Sequence, residues 1–203
     1  MKRLVVDIET DSLDAKEIFC VVAKDIDDGR IYTYSPTNIQ HCKAVIEEAD
    51  IIIMHNGVSF DAPTLKRILD INIPLAKIRD TLLLSQMADP MREGGHSLDA
   101  WGTKLGFNKI EFDNFSAYSD EMLKYCIRDV ELTEKVYKTL VPELKKFSAR
   151  SIKLEHQIRA IIDRQEANGF TLDEPKAMQL LSKLKDESEN IKNDLQEVFK
   201  PIV

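Results

Sequence analysis

Apolar and polar positions along the chain sort into two periods. Residues 3–9, 18–26 and 30–34 are short runs rich in apolar and β-branched residues and read as strands. Asp27-Asp28-Gly29 joins the last two with the turn chemistry of a hairpin. The stretch "NIQHCKAVIEEAD" (38–50) changes to helical spacing, and "IIIMHN" (51–56) is an unbroken apolar run of the kind a buried strand shows. Helices are predicted over 60–70, over 79–89 with Asp80 as N-cap, and over 97–106 between Ser97 as cap and Gly106 as terminator. A long helical pattern covers 119–147, with an interruption expected near Pro142. A strand meander followed by alternating helices and strands predicts an α/β fold, a mixed sheet flanked by helices.

From residue 148 the pattern changes. Two long amphipathic helical stretches, 148–168 and 175–199, flank "ANGFTLDEP", with no strand pattern of note. Two helices bury little surface by themselves. The expected organisation is therefore an α/β domain over 1–147 and a helical extension over 148–203 that leans on the first domain or on another partner. Its far end, 175–203, is expected to be the mobile part.

Composition narrows the class. The chain has 203 residues, 43% of them hydrophobic and 7% aromatic, which fits a globular protein. No apolar run approaches the roughly 18 residues of a membrane helix, so no membrane association is expected. The apolar run at Leu4-Val5-Val6 is too short for a signal peptide. Cys20, Cys42 and Cys126 form neither an even set nor a CxxC pair and read as free thiols in a reducing cytoplasm. The net charge of −7, of which residues 1–147 carry −6, gives no general pull toward nucleic acid. A nucleic-acid substrate would need local contacts, metal ions, or another part of a larger assembly.

The chemistry begins in "VVDIETDSL" (5–13). Residues two apart in a strand face the same side, so Asp7 and Glu9 stand together. Like charges that close repel unless a proton or a cation intervenes. Asp61 closes "HNGVSFD" (55–61), where a buried strand runs into a turn and then a helix. Asp129, in "YCIRD" (125–129), lies four residues after Tyr125 and so on the same helical face. Four acids converging with a tyrosine would gather Mg²⁺ or Mn²⁺, hard cations that prefer oxygen ligands. Two such ions can hold the attacking and leaving oxygens of a phosphodiester. Each signal alone has a plainer reading: a common strand pattern for Asp7 and Glu9, a helix N-cap for Asp61, a helix surface for Tyr125 and Asp129.

The combination, in this order, resembles the DEDDy branch of the DnaQ-like 3′–5′ exonucleases, which have a ribonuclease H-like fold. Asp7 and Glu9 match the first motif of that family, Asn56, Phe60 and Asp61 the second, and Tyr125 and Asp129 the third. "DIETDSLD" (7–14) looks like the first motif of family A DNA polymerases. "HNGVSFD", "DTLLLSQM" (80–87) and "GHSLDAWGTKLG" (95–106) resemble the proofreading domain of short-tailed-phage replicative polymerases. "LEHQIRAIIDRQEANGFTLD" (154–173) is similar to the passage from the exonuclease domain into the polymerase thumb. No palm or fingers sequence follows, so polymerase activity is not expected of this chain alone; a polymerase could be present as a separate subunit.

The resemblance implies an enzyme that hydrolyses single-stranded DNA 3′ ends and releases nucleoside monophosphates. It implies two Mg²⁺ or Mn²⁺ ions, with Asp7 bridging both, Glu9 and Asp129 completing the first site and Asp61 serving the second. Tyr125, with Glu9, would orient the attacking water. Leu13 would wedge against the terminal base, Thr10 would add a substrate contact, and Asn56 would either contact substrate or, as an Asn in a turn, serve the turn itself. The setting would be the cytoplasm, that of a bacterial host if the chain is phage-encoded. Two other readings stand beside this one. An RNA-trimming DEDDy exoribonuclease would carry nearly the same motifs. A catalytically silent platform for a polymerase partner would usually have lost an acid, and this chain has lost none. Outside the motifs, Asp80 reads as a helix cap, His55 and His96 as loop or strand-end residues, Trp101 as core rather than a base-stacking group, and Lys104 and Lys109 as phosphate contacts or equally a solvated face.

Overall fold

A computed structural model describes residues 1–199; residues 200–203, the last of the tail expected to be mobile, lie outside the described residues. Three strands form the expected meander, β1 (Arg3–Thr10), β2 (Ile18–Asp25) and β3 (Ile31–Tyr34). Two more, β4 (Ile51–Met54) and β5 (Ile78–Asp80), complete a five-stranded sheet in the order β3-β2-β1-β4-β5. β1 pairs antiparallel with β2 and parallel with β4, so it stands where the two halves of the mixed sheet meet.

That position explains the sequence of β1. Helices cover both of its faces. Leu4, Val6 and Ile8 pack into a core with Ile46 of α1 (Cys42–Glu48) and Leu65 of α2 (Asp61–Leu69). Val5 faces the other way, against Met122, Cys126 and Val130 of α5 (Asp120–Glu143). Asp7 and Glu9 continue the Val5 face by strand alternation, so the apolar floor under α5 becomes acidic at the end of the strand. A register shift between Glu9 and Thr10 breaks the ladder with β2 at that point. Such irregularities re-aim side chains beside active sites.

Side-chain caps define three helix starts, two of them, at Asp80 and Ser97, as expected. Asp80 accepts from the Leu82 N–H at the start of α3 (Thr81–Ala88), Ser97 from Ala100 at α4 (Leu98–Leu105), and Ser119 from Met122 at α5. Gly106 ends α4 in the left-handed region at φ 61°, a conformation that favours glycine. Trp101 is core, packed with Leu84, Leu132 and Val136.

The boundaries differ in three places. The 38–50 stretch opens with a 3₁₀ turn, Ile39–His41, before α1 begins. β5 falls where the helix over 79–89 was expected to begin. Three residues are too few to show a period, and Asp80 both ends the strand and caps α3. Pro142 does not interrupt α5; it sits in the last turn, after which the chain tightens into a 3₁₀ turn at Leu144–Lys146. There a proline forfeits the hydrogen bond of one nitrogen, with little helix left to break.

The chain forms two compact units, Met1–Arg164 and Gln165–Val203. The first holds the sheet and most of α6 (Ala149–Asn168). The second holds α7 (Glu174–Val198), capped by Asp173 and without a buried residue. No helix among the described residues is long and apolar enough to cross a membrane.

Candidate active site

The acidic centre forms at the carboxyl end of β1, beside the switch from antiparallel to parallel pairing. Crevices at such switch points are where open α/β sheets bind ligands. One ligand-capable atom each from Asp7, Glu9 and Cys126 lie within 4.8 Å of one another. The Cys126 Sγ is 3.5 Å from Asp7 Oδ2 and 3.6 Å from the Asp7 carbonyl oxygen. Burial, with Cys20 and Asp7 nearby, holds the thiol pKa well above its usual value, so Cys126 is a protonated donor to Asp7.

The carboxyls strain against each other. Burial, then the Asp129 charge, pushes Asp7 up to about 7. Burial, then Asp7, pushes Glu9 up to about 10. Asp61 is raised well above the ordinary range, again by burial and then by Asp7. Asp129 is raised by burial, against the pull of Lys109 and Tyr125. The four acids, drawn from β1, α2 and α5, therefore share one electrostatic environment. Crowded in this way, they cannot all be ionised at neutral pH unless a divalent cation joins them.

Asp61 is the first residue of α2 and is 4% exposed. The N-cap of that helix is Phe60, without a side-chain cap bond, so Asp61 is not the cap. Tyr125 is half-buried, with rings of Phe112 and Phe115 at 5.5 and 6.0 Å. Asp129 and Lys109 are its charged neighbours, and burial holds its pKa above that of a free phenol.

Lys109, read from the sequence as a phosphate contact or a solvated lysine, instead turns onto the acidic centre, a pairing that sequence reasoning missed. Its Nζ is 2.6 Å from Asp129 Oδ2 and 4.7 Å from the Tyr125 ring centroid. Burial works against the ammonium, but Asp129 and Tyr125 override it and raise its pKa. A lysine in the irregular stretch between α4 and α5 has no periodicity to show which way it points. The remaining Asp129 oxygen, Oδ1, is buried without a hydrogen-bond partner.

Thus Asp7, Glu9, Asp61, Tyr125 and Asp129 are brought together. Thr10 is the last residue of β1, and Leu13 and Asn56 lie on the loops leaving the carboxyl ends of β1 and the neighbouring β4. Leu13 is 91% exposed. Thr10 is buried, and its hydroxyl donates to Ser12 O at 2.9 Å, which shapes the loop that carries Leu13. Asn56 takes a left-handed φ of 63°, and its N–H donates to Asp80 Oδ1 at 2.9 Å. Gly57 follows because a Cβ there would stand 2.2 Å from that of Met54. His55 pairs with Thr81 Oγ1 at 2.9 Å, and burial lowers its pKa to about 4, so it is neutral. His96 pairs with Ser85 Oγ at 2.8 Å.

The donor set suits a hard divalent cation. It consists of carboxylate oxygens, one of them an orphaned buried acceptor, in a cluster whose mutual repulsion a cation would relieve.

A mixed sheet of ribonuclease H-like type, with acids gathered at the end of its central strand, defines a metal-dependent nuclease. The chain belongs to the 3′–5′ exonuclease family of the DNA polymerase A type (DNA_pol_A_exo1, 3'-5' exonuclease), whose model matches residues 1–145. It is an exonuclease, a phosphodiester hydrolase, and enzymes of this family depend on metal. Over 260 aligned residues it is 24% identical to the DNA-directed DNA polymerase of Enterobacteria phage T3 and 23% identical to that of Escherichia phage T7. Both alignments take in 97% of this chain and 37% of the relative, so the chain spans little more than a third of their length. Among solved structures, Escherichia coli RNase D, an exoribonuclease involved in structured RNA processing, matches with a TM-score of 0.58. At 13% identity, over 80% of this chain and 45% of that one, this likeness speaks for the fold alone.

Proposed function

We propose that this chain proofreads DNA as part of a family A polymerase system in a bacterial host cytoplasm. It removes nucleotides one at a time from single-stranded 3′ ends and releases monophosphates. The polymerase is either joined to it in one protein or supplied as a separate subunit. Residues 1–147 act as the exonuclease domain and 148–203 as the helical extension. The observation that carries the reading is the convergence of Asp7, Glu9, Asp61 and Asp129, each acid raised in pKa by burial.

Asp7, Glu9 and Asp129 would hold one Mg²⁺ or Mn²⁺ ion, and Asp7 with Asp61 a second. When bound, the ions supply positive charge at the scissile phosphodiester and acidify the attacking water. The chain's own groups do the positioning. Tyr125, neutral at working pH, holds the water through its hydroxyl, and Glu9 accepts from the same water. Leu13, exposed on its loop, lies against the terminal base and keeps it from stacking. Thr10 and Asn56 meet the last nucleotides of the strand.

Cleavage of 5′-labelled and 3′-labelled single strands in Mn²⁺ tests this. The 3′ label should leave at once as a mononucleotide, while the 5′ label yields a ladder shortening by single nucleotides. Internal cuts, or a clear preference for an RNA strand of the same sequence, would refute it.

A further inference from the structure

Helix α6 lies beyond the family-matched segment, yet it reaches the turn that delivers Asp61. Of its 20 residues, Ala149–Asn168, one is buried, and it is a histidine. His156 is 3% exposed. Its Nε2 accepts the Asp80 backbone N–H at 2.9 Å, so the ring proton sits on Nδ1, which donates to Ile152 O at 2.8 Å. Burial lowers its pKa, consistent with a neutral ring.

Asp80 passes this anchorage on. It is 1% exposed, and its carboxylate accepts from Asn56 N at 2.9 Å, Val58 N at 3.0 Å and Leu82 N at 3.0 Å. Two of these three donors belong to the turn between β4 and α2. A second tether joins the same turn. The Ser59 hydroxyl donates to the Asp163 carboxylate at 3.0–3.1 Å, Arg159 Nε donates to Ser59 Oγ at 2.8 Å, and Arg159 pairs with Asp163 at 2.6 Å. A helix docked only by packing would bury an apolar stripe. This one directs hydrogen bonds at residues 56–59, immediately ahead of Asp61.

We propose that His156 and Asp163 are positioning residues of the exonuclease centre, pinning the turn that presents Asn56 and places Asp61. The inference rests on the function proposed above. They touch neither substrate nor metal; they act through the turn. The exonuclease centre is then built from residues 1–164, not from the matched segment alone.

The test compares His156→Leu, which loses the acceptor, with His156→Gln, whose amide oxygen can replace Nε2. Single-turnover cleavage is measured at saturating Mn²⁺, well below each variant's melting temperature, together with hydrogen exchange in the metal-free chain. His156→Leu should slow cleavage about 10- to 100-fold, since misplacing a reacting group by about an ångström costs that much. Exchange over 56–61 should speed up while β1 and β2 stay protected, and His156→Gln should recover most of both. A His156→Leu chain that cuts at the wild-type rate, or that loosens evenly across the whole unit, overturns the proposal. If His156→Leu does not fold, Ser59→Ala and Asp163→Ala carry the test. Each should slow cleavage at least about threefold and loosen 56–61, and unchanged behaviour in both overturns it. A wild-type chain without metal-dependent cleavage would sink the proposed function instead, while the exchange pattern would still decide whether α6 pins the turn.

Discussion

Lys109 Nζ lies 2.6 Å from Asp129 Oδ2, so the acidic centre holds a cation of its own. The same ammonium sits over the Tyr125 ring. It neutralises part of the repulsion that burial would otherwise leave among the four acids. A divalent ion at Asp129 must compete with it. Two unit charges about 4 Å apart interact by roughly 4 kcal/mol at an effective dielectric of 20, and rearrangement leaves only part of that. Lys109→Met is therefore expected to bind Mn²⁺ about tenfold tighter, and to lower the melting temperature of the chelated chain. Isothermal titration with Mn²⁺ checks this. Equal affinity in the two chains would make Lys109 a bystander.

Tyr125→Phe deletes one hydroxyl and leaves the ring on Phe112 and Phe115. Mn²⁺ affinity should stay within about threefold of wild type. The maximal rate should drop about 10- to 1,000-fold, or roughly 1.4–4 kcal/mol of barrier, with little change in DNA affinity. The tyrosine pKa is raised, so ionisation of the phenol should leave no step in the neutral pH range of the rate profile. Single-turnover rates on a short strand decide it; an unchanged rate removes Tyr125 from the site.

The raised carboxyl pKa values set a pH dependence of definite sign. Folded Asp7 titrates near 7 and folded Glu9 near 10, above their unfolded values. Between those limits the folded chain binds more protons than the unfolded one, so metal-free stability falls as pH rises. The contribution is fully present below about pH 4 and is lost progressively through pH 7 and beyond. Metal binding displaces the same protons, so Mn²⁺ affinity should climb over that range. Melting curves in chelator and in Mn²⁺, taken from pH 5 to 9, should diverge as pH rises; parallel curves would contradict it.

Much of this site was legible because its parts obey local rules. Asp7 and Glu9 follow from strand alternation, Tyr125 and Asp129 from helical spacing, and the caps Asp80 and Ser97 from helix-start chemistry. Lys109 lies in a stretch without period, so nothing local aims it at Asp129. Cys126 is visible on the α5 face that meets β1, but its contact with Asp7 depends on how helix and sheet pack. β5 is shorter than any pattern can register. The hydrogen bond from Asp80 to His156 joins residues 76 apart and leaves no trace in either segment. Local grammar picked out the acids and the tyrosine that the fold brings together. The groups that hold them in place came from tertiary packing.

Asp7→Asn separates stability from function most sharply. Asp7 is the acid whose charge raises both Glu9 and Asp61. Asparagine keeps its shape and can still accept from Cys126, but it carries no charge. The proposed shared ligand is lost, so cleavage should fall by several orders of magnitude in Mg²⁺ or Mn²⁺. The metal-free chain should become more stable at pH 8, by about 1–3 kcal/mol, because an ionised, desolvated carboxylate is removed from a crowd of others. In Mn²⁺ the order should reverse, since wild type gains binding energy that the variant lacks. Denaturant titrations with and without Mn²⁺ measure all of this on one protein pair. A variant less stable than wild type in chelator would show that Asp7 is a structural acid rather than a strained ligand. A variant that keeps more than about a tenth of the cleavage rate would show that it is not the shared ligand.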